Sequence, residues 1–193
     1  MATLLILAGV NGAGKSTLFE EAFTRNIPFI NVDSIARQIA PERLNDPRIS
    51  IRAGRQALVQ MQEMLLRKQS FAFETTLSSK QSLAMLQQAK AQGYLVELHY
   101  IGLADCELSI ERVAQRVAAG GHDIPRETIL RRYDKSLNQL PIAMRFADII
   151  NLYDNSGKER ILLYESHRQD ITHHVSVQPS WVQDALKKFE KSL

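Results

Sequence analysis

One cysteine, one tryptophan and an aromatic fraction of only 7% are the first features of this 193-residue chain. A lone thiol excludes an intramolecular disulfide and fits a reducing compartment. Cys106 reads as a small residue near a helix start, not as a nucleophile, and Trp181 as a core anchor. Charge of one sign is also lacking. Lys and Arg number 24 against 21 Asp and Glu, for a net charge of +3. No block of consecutive basic residues occurs. Arg112, Arg116, Arg126, Arg131, Arg132, Lys135 and Arg145 do gather in one stretch, but without the interleaved aromatics of a single-strand binder. A nucleic-acid partner is therefore not expected. No apolar run approaches the ~20 residues of a membrane helix, so a membrane partner is not expected either. No signal peptide precedes the first strand, and the expectation is a soluble, cytoplasmic protein. Repeats, low-complexity tracts and long Pro/Gly/Ser linkers are absent, which predicts a single domain over residues 1–193.

Near its start the chain has an apolar run, Leu4–Ala8, followed by Gly9-Val10-Asn11-Gly12-Ala13-Gly14-Lys15-Ser16 and then Thr17. A buried strand, a glycine-rich turn closed by Lys-Ser and the start of a helix together form the Walker A pattern in its proper context. The chemistry explains the residue types. Glycines let consecutive backbone N–H groups face a phosphate, and the helix N-terminus adds a favourable dipole. Lys15 is placed to bridge the β- and γ-phosphates and Ser16 to ligate Mg²⁺. The pattern predicts ATP and Mg²⁺ as cofactors.

Strand and helix patterns alternate along the rest. Strands are predicted over Thr3–Ala8, Ile27–Val32, Ser70–Phe73, Tyr94–Ile101 and Asp148–Tyr153, with Arg160–Glu165 added at an edge. Helices are predicted from the P-loop to about Thr24, around Ser34–Ile39, and over Ile51–Lys68, Lys80–Gln92, Cys106–Ala119, a segment from Arg126, and Ser180–Phe189. The rhythm implies an α/β P-loop NTPase fold: a mostly parallel five-stranded sheet flanked by helices. In such sheets the ligand lies at the carboxyl ends of the strands, where Gly9, Asp33, Glu74 and Asp154 fall.

Missing motifs narrow the class. There is no Asn-Lys-x-Asp for guanine and no Leu-Ser-Gly-Gly-Gln of transporter ATPases. A small kinase remains, and it needs a hydroxyl-activating carboxylate and a basic lid. Asp33 closes a predicted strand beside the P-loop, where it can take the proton of an acceptor hydroxyl or, on position alone, cap the next helix. Glu74, with Thr75 and Thr76, closes another predicted strand. It can organise Mg²⁺ through water or hold substrate hydroxyls. Between about residues 112 and 135 a helix, Gly120-Gly121 and a second helix suggest an arginine-bearing lid that screens charge and excludes water. Arg116, nearest the hinge, and Arg132, nearer the buried stripe than Arg131, are the arginines favoured for catalysis. Asn155, after the last parallel strand, is placed near the adenine. His122 can contact ligand or fill a turn, and His173-His174 lacks a metal-ligand set.

These segments give the chain a family resemblance. Gly9–Ser16, Asn31-Val32-Asp33, Phe73-Glu74-Thr75-Thr76-Leu77-Ser78, Gly120-Gly121-His122-Asp123-Ile124-Pro125, Arg131-Arg132-Tyr133 and Tyr153-Asp154-Asn155-Ser156 resemble the zeta-toxin-like P-loop kinases, specifically their small bacterial branch. The resemblance implies that Asp33 is the catalytic base, that Glu74 and its threonines face the acceptor, and that lid arginines touch the γ-phosphate. It also implies a sugar-nucleotide acceptor, UDP-N-acetylglucosamine, and an antitoxin protein as partner. An ATPase or nucleotide-dependent switch without such an acceptor and a polynucleotide-directed kinase are the alternatives.

Overall fold

The computed structural model describes residues 1–22, 27–167 and 170–191. Strand β1 (Thr3–Gly9) is buried on both faces from Leu4 onward, as a parallel strand covered by helices on either side must be. It sits third in a sheet that runs β2 (Phe29–Ile30), β3 (Phe71–Thr75), β1, β4 (Leu95–Gly102), β5 (Ile149–Asp154), β6 (Ile161–His167), β7 (Asp170–His173). The first five are mutually parallel, while β6 and β7 run antiparallel to their neighbours.

The sheet is larger than the sequence suggests. The segment read as an edge strand is β6, but it lies inside the sheet, and β7 forms the edge. All four residues of β7 are exposed, so no alternation of apolar and polar residues marks it in the sequence.

The helices are α1 (Lys15–Ala22), α2 (Val32–Ile39), α3 (Pro47–Leu66), α4 (Lys80–Ala91), α5 (Cys106–Ala118), α6 (Arg126–Met144) and α7 (Ser180–Glu190). The end expected for α1 near Thr24 lies outside the described residues. The strand expected over Ile27–Val32 contracts to Phe29–Ile30. Asn31 stops it, because its Oδ1 accepts the N–H of Ser34 at 3.0 Å and starts α2 at Val32. Asp33 therefore stands in the first turn of a helix and not at a strand end, and the capping role considered for it belongs to Asn31. Helix α3 begins earlier than its apolar pattern at Ile51. Asp46 caps it and Pro47 occupies the first helical position, where a missing N–H is harmless.

Alternation along β1 divides the core. Leu4, Ile6 and Ala8 join the larger cluster with Phe73, Leu98 and Tyr100 and with residues of α2, α3, α4, α6 and α7. Leu7 faces a smaller cluster under the P-loop with Leu18 and Ile101. Trp181 of α7 anchors the larger cluster by lying against bare backbone, since a Cβ on Gly102 would come within 2.4 Å of the indole. No helix among the described residues is long and apolar enough to cross a membrane.

Candidate active site

The turn after β1 is held from three directions. Gly9 has φ +146°, and a Cβ there would lie 2.2 Å from the Ile101 carbonyl oxygen, so β4 tolerates only glycine at this point. Helix α5 presses on the turn from one side. A Cβ on Gly12 (φ +73°) would lie 3.0 Å from the Cβ of Arg112, and Ser109 Oγ donates to the Asn11 carbonyl at 2.5 Å. From the other side Asn155 Nδ2 donates to the Ala13 carbonyl at 2.9 Å. The amide of Asn155, expected near an adenine, thus braces the loop. Val10, Asn11, Ala13 and Gly14 complete the turn, and the first-turn N–H groups of α1 around Ser16 and Thr17 have no intrahelical acceptor. That is the donor set an anionic phosphate chain requires.

Lys15 curls back across the turn. Its Nζ donates to the Val10 carbonyl at 3.0 Å and lies 3.6 Å from Glu74 Oε1. Burial pushes its pKa down from the ordinary lysine value, while the charges of Glu74 and then Asp33 pull it back up. Glu74, near the end of β3, is the hub of the site. Its Oε2 accepts from Ser16 Oγ at 2.6 Å and from Asn31 Nδ2 at 2.8 Å. A hydroxyl and a carboxylate oxygen side by side at the start of α1 fit a hard cation. No group of three or more His, Cys, Asp or Glu among the described residues could hold a metal ion. A cation here would draw its other ligands from phosphate and water, which is how Mg²⁺ usually binds.

Above this network opens a cavity of about 610 Å³, bounded by the P-loop, the start of α2, the end of β3 and the α5–α6 connection. Asp33, Lys15, Glu74, Thr76, Arg116 and Arg132 all line it. Asp33 acts electrostatically on cations at two sides. It raises the pKa of Lys15, and it opposes the lowering of the Arg132 pKa that burial and then Arg131 produce. Arg116 donates from Nη2 to the His122 carbonyl at 2.8 Å, and its buried Nε has no hydrogen-bond partner among the described residues.

The other basic residues of this region go elsewhere. Arg126 is exposed and paired with Glu107 at 2.6 Å, and Arg131 faces outward. Thr75, though it also lines the cavity, commits its hydroxyl to the turn after β3. Its Oγ1 lies 2.7 Å from Ser82 Oγ and accepts the Leu77 N–H at 2.9 Å. Thr76 Oγ1 lies 2.8 Å from Ser78 Oγ.

Sequence reasoning passed over two residues that the fold brings here. Asn31 was legible as a helix cap, but its bond to Glu74 crosses 43 positions and has no local signal. Asn45 accepts the Asp123 N–H at 3.2 Å and lies 3.1 Å from His122 Nδ1, joining the loop before α3 to the α5–α6 connection. His122 therefore touches protein at the cavity mouth.

Known proteins share the family and the fold of this chain. The family model described as Zeta toxin matches residues 2–169. An uncharacterized protein of Haemophilus influenzae is 36% identical over 132 residues, spanning 67% of this chain and 91% of its own length. Two of the solved structures that share the fold illustrate it. The AvrRxo1-ORF1:-ORF2 complex with ATP has TM-score 0.74 and 15% identity over 100% of this chain, which spans only 65% of that longer one. A structure from the PezAT chromosomal toxin–antitoxin system of Streptococcus pneumoniae has TM-score 0.62 and 19% identity, covering 99% of this chain and 87% of that one.

Proposed function

The chain belongs to the zeta toxin family, and from this premise we propose that it is a nucleotide-dependent phosphotransferase of the P-loop kinase type that uses ATP and Mg²⁺ to phosphorylate a hydroxyl of a small metabolite. A sugar nucleotide such as UDP-N-acetylglucosamine is the acceptor favoured by the family. The observation that carries the reading is the position of Asp33, in the first turn of α2, lining the same cavity as Lys15 and Arg132 and acting on the charge of both. A carboxylate there takes the proton of an acceptor hydroxyl as it attacks the γ-phosphoryl group.

The turn amides of Gly9 to Thr17 and Lys15 hold the phosphate chain. Arg116 and Arg132 balance the charge that develops during transfer, and the segment 112–135 that carries them serves as the lid. A bound Mg²⁺ would neutralise charge on the phosphate oxygens, with Ser16 as its ligand and Glu74 beside it. Of the two uses read for Glu74 from the sequence, Mg²⁺ organiser or substrate ligand, this reading takes the first, although the resemblance implies the second, and Thr75 and Thr76 border the acceptor space. An antitoxin partner belongs to this reading, on the strength of the PezAT toxin–antitoxin relative.

The test is ATP consumption with Mg²⁺, with and without UDP-N-acetylglucosamine, reading products by mass. A product heavier by one phosphoryl group is expected. Asp33→Asn should keep ATP affinity and lose roughly 10²–10⁴-fold in transfer rate. Wild-type transfer in that variant would remove Asp33 from the role of base. ATP turnover indifferent to every hydroxyl compound would replace a transferase with an ATPase.

A further inference from the structure

A second cleft opens beside the reaction cavity. It measures about 230 Å³ and lies between α3 and α4 under the end of β3. Leu58, Met61, Phe73 and Met85 form its apolar walls, and Val32, Glu74 and Thr75 are shared with the reaction cavity. The two spaces therefore border the same three residues, one of which, Val32, precedes Asp33 in α2. Glu74 is the one ionisable side chain on the wall, and its oxygens are already engaged by Ser16, Asn31 and Lys15. Ser82, also on the wall, is buried, and its hydroxyl is within bonding distance of Thr75 and Ser79. Apart from the amide of Gln81, an exposed residue, what remains facing the cleft is hydrocarbon and thioether, the latter able to adapt to a ligand's shape.

Gly54 gives an independent indication. Among the described residues it is the one glycine inside a helix, near the middle of α3, where glycine is the least favourable residue after proline. A Cβ built there meets nothing within 4 Å, and Gly54 does not have the positive φ of the turn glycines. Neither backbone conformation nor packing against protein calls for glycine at this position. Its missing side chain leaves space in the wall of the cleft.

We propose that this cleft is the second acceptor subsite and takes a compact apolar group, aliphatic or aromatic, belonging to the molecule whose hydroxyl faces Asp33. The identity of the occupant rests on the phosphotransferase reading; the cleft's affinity for an apolar group does not. Metabolites that are hydroxylated throughout are disfavoured as acceptors, because a hydroxyl buried against Leu58, Met61, Phe73 and Met85 is left without a partner. A sugar nucleotide would have to seat its base or its acetyl methyl in the cleft.

Methionine-methyl NMR on the full chain, titrated with 2-phenylethanol in the absence of nucleotide, reads the subsite directly. Met61 and Met85 line the cleft, while Met144 is buried in the core outside it and serves as reference. Saturable shifts of Met61 and Met85 with Met144 unmoved are expected. Gly54→Leu should weaken binding roughly tenfold, and Gly54→Ala about threefold while raising the melting temperature through helix propensity. Gly54→Ala decides the matter if the leucine variant does not fold. No saturable shift, equal movement of Met144, or wild-type affinity in the variants would each overturn the subsite. ATP binding and transfer are measured on the same proteins. Shifts without any transfer would leave the subsite and remove the kinase reading. Transfer to a wholly polar acceptor at unchanged KM in Gly54→Leu would do the reverse.

Discussion

Asn31 performs two jobs with one amide, and its removal can be worked through from the structure. Its Oδ1 caps α2 through Ser34 N–H, and its Nδ2 donates to Glu74 Oε2. Loss of a side-chain cap costs about 1 kcal/mol. Loss of a hydrogen bond to a charged, largely buried carboxylate costs about 1.5–3 kcal/mol, because the acceptor stays behind without that donor. Asn31→Ala should therefore destabilise by about 3 kcal/mol, a fall in Tm of roughly 6–12 °C for a domain of this size. Asn31→Asp keeps the cap but sets a second carboxylate against Glu74, so it should be no more stable than the alanine variant at neutral pH and should recover as the pH falls and one carboxylate of the pair takes up a proton. Urea denaturation of Asn31→Ala, Glu74→Gln and the double variant closes a cycle whose expected coupling is about 1–2 kcal/mol. A coupling near zero, or an Asn31→Asp variant as stable as the parent at neutral pH, would refute the account of Glu74 as a group held by Asn31.

Two further outcomes follow from the same geometry. Glu74 is the largest influence raising the pKa of Lys15 against burial, so Glu74→Gln should lower that pKa further. Nucleotide affinity measured without divalent cation should then begin its alkaline decline at lower pH than in the parent, and an unchanged or higher limb would sink the assignment. Gly102→Ala should destabilise by about 1–3 kcal/mol by overpacking against the Trp181 indole, with recovery on adding Trp181→Leu; a loss too small to measure by urea denaturation would show that α7 shifts freely.

The parts of the site that were legible in the sequence are those written locally. Gly9 to Ser16 declare the turn because each residue type answers to a backbone demand within a few positions. Asp46-Pro47 likewise carried the start of α3, a capping signal that the apolar pattern beginning at Ile51 obscured. Asp33 was legible as a candidate base but misplaced as structure. An apolar run such as Phe29-Ile30-Asn31-Val32 reads as a continuous strand unless Asn31 is allowed to act as a cap. Strand β7 was not legible at all, since an edge strand exposed at every position buries no side chain to pattern it. The Asn31–Glu74 and Asn45–Asp123 bonds join residues 43 and 78 positions apart, and pairings of that range follow from the fold.

The long-range bonds also decide what Glu74 can do. A carboxylate at a strand end beside a P-loop has two plausible uses, and residue type alone does not separate them. Here one oxygen receives Ser16 and Asn31 and the other faces Lys15, so the group is bound by residues that follow β1 and β2 before any ligand arrives. A side chain committed in this way has little freedom to reach into the acceptor space. Asp33, in the first turn of α2, shows no side-chain bond of this kind among the described residues and lines the cavity together with Lys15 and Arg132. The division of labour proposed for the two carboxylates thus rests on what already holds each of them: Glu74 is fixed beside Ser16 and Lys15, which suits the phosphate side, and Asp33 is left to accept a proton.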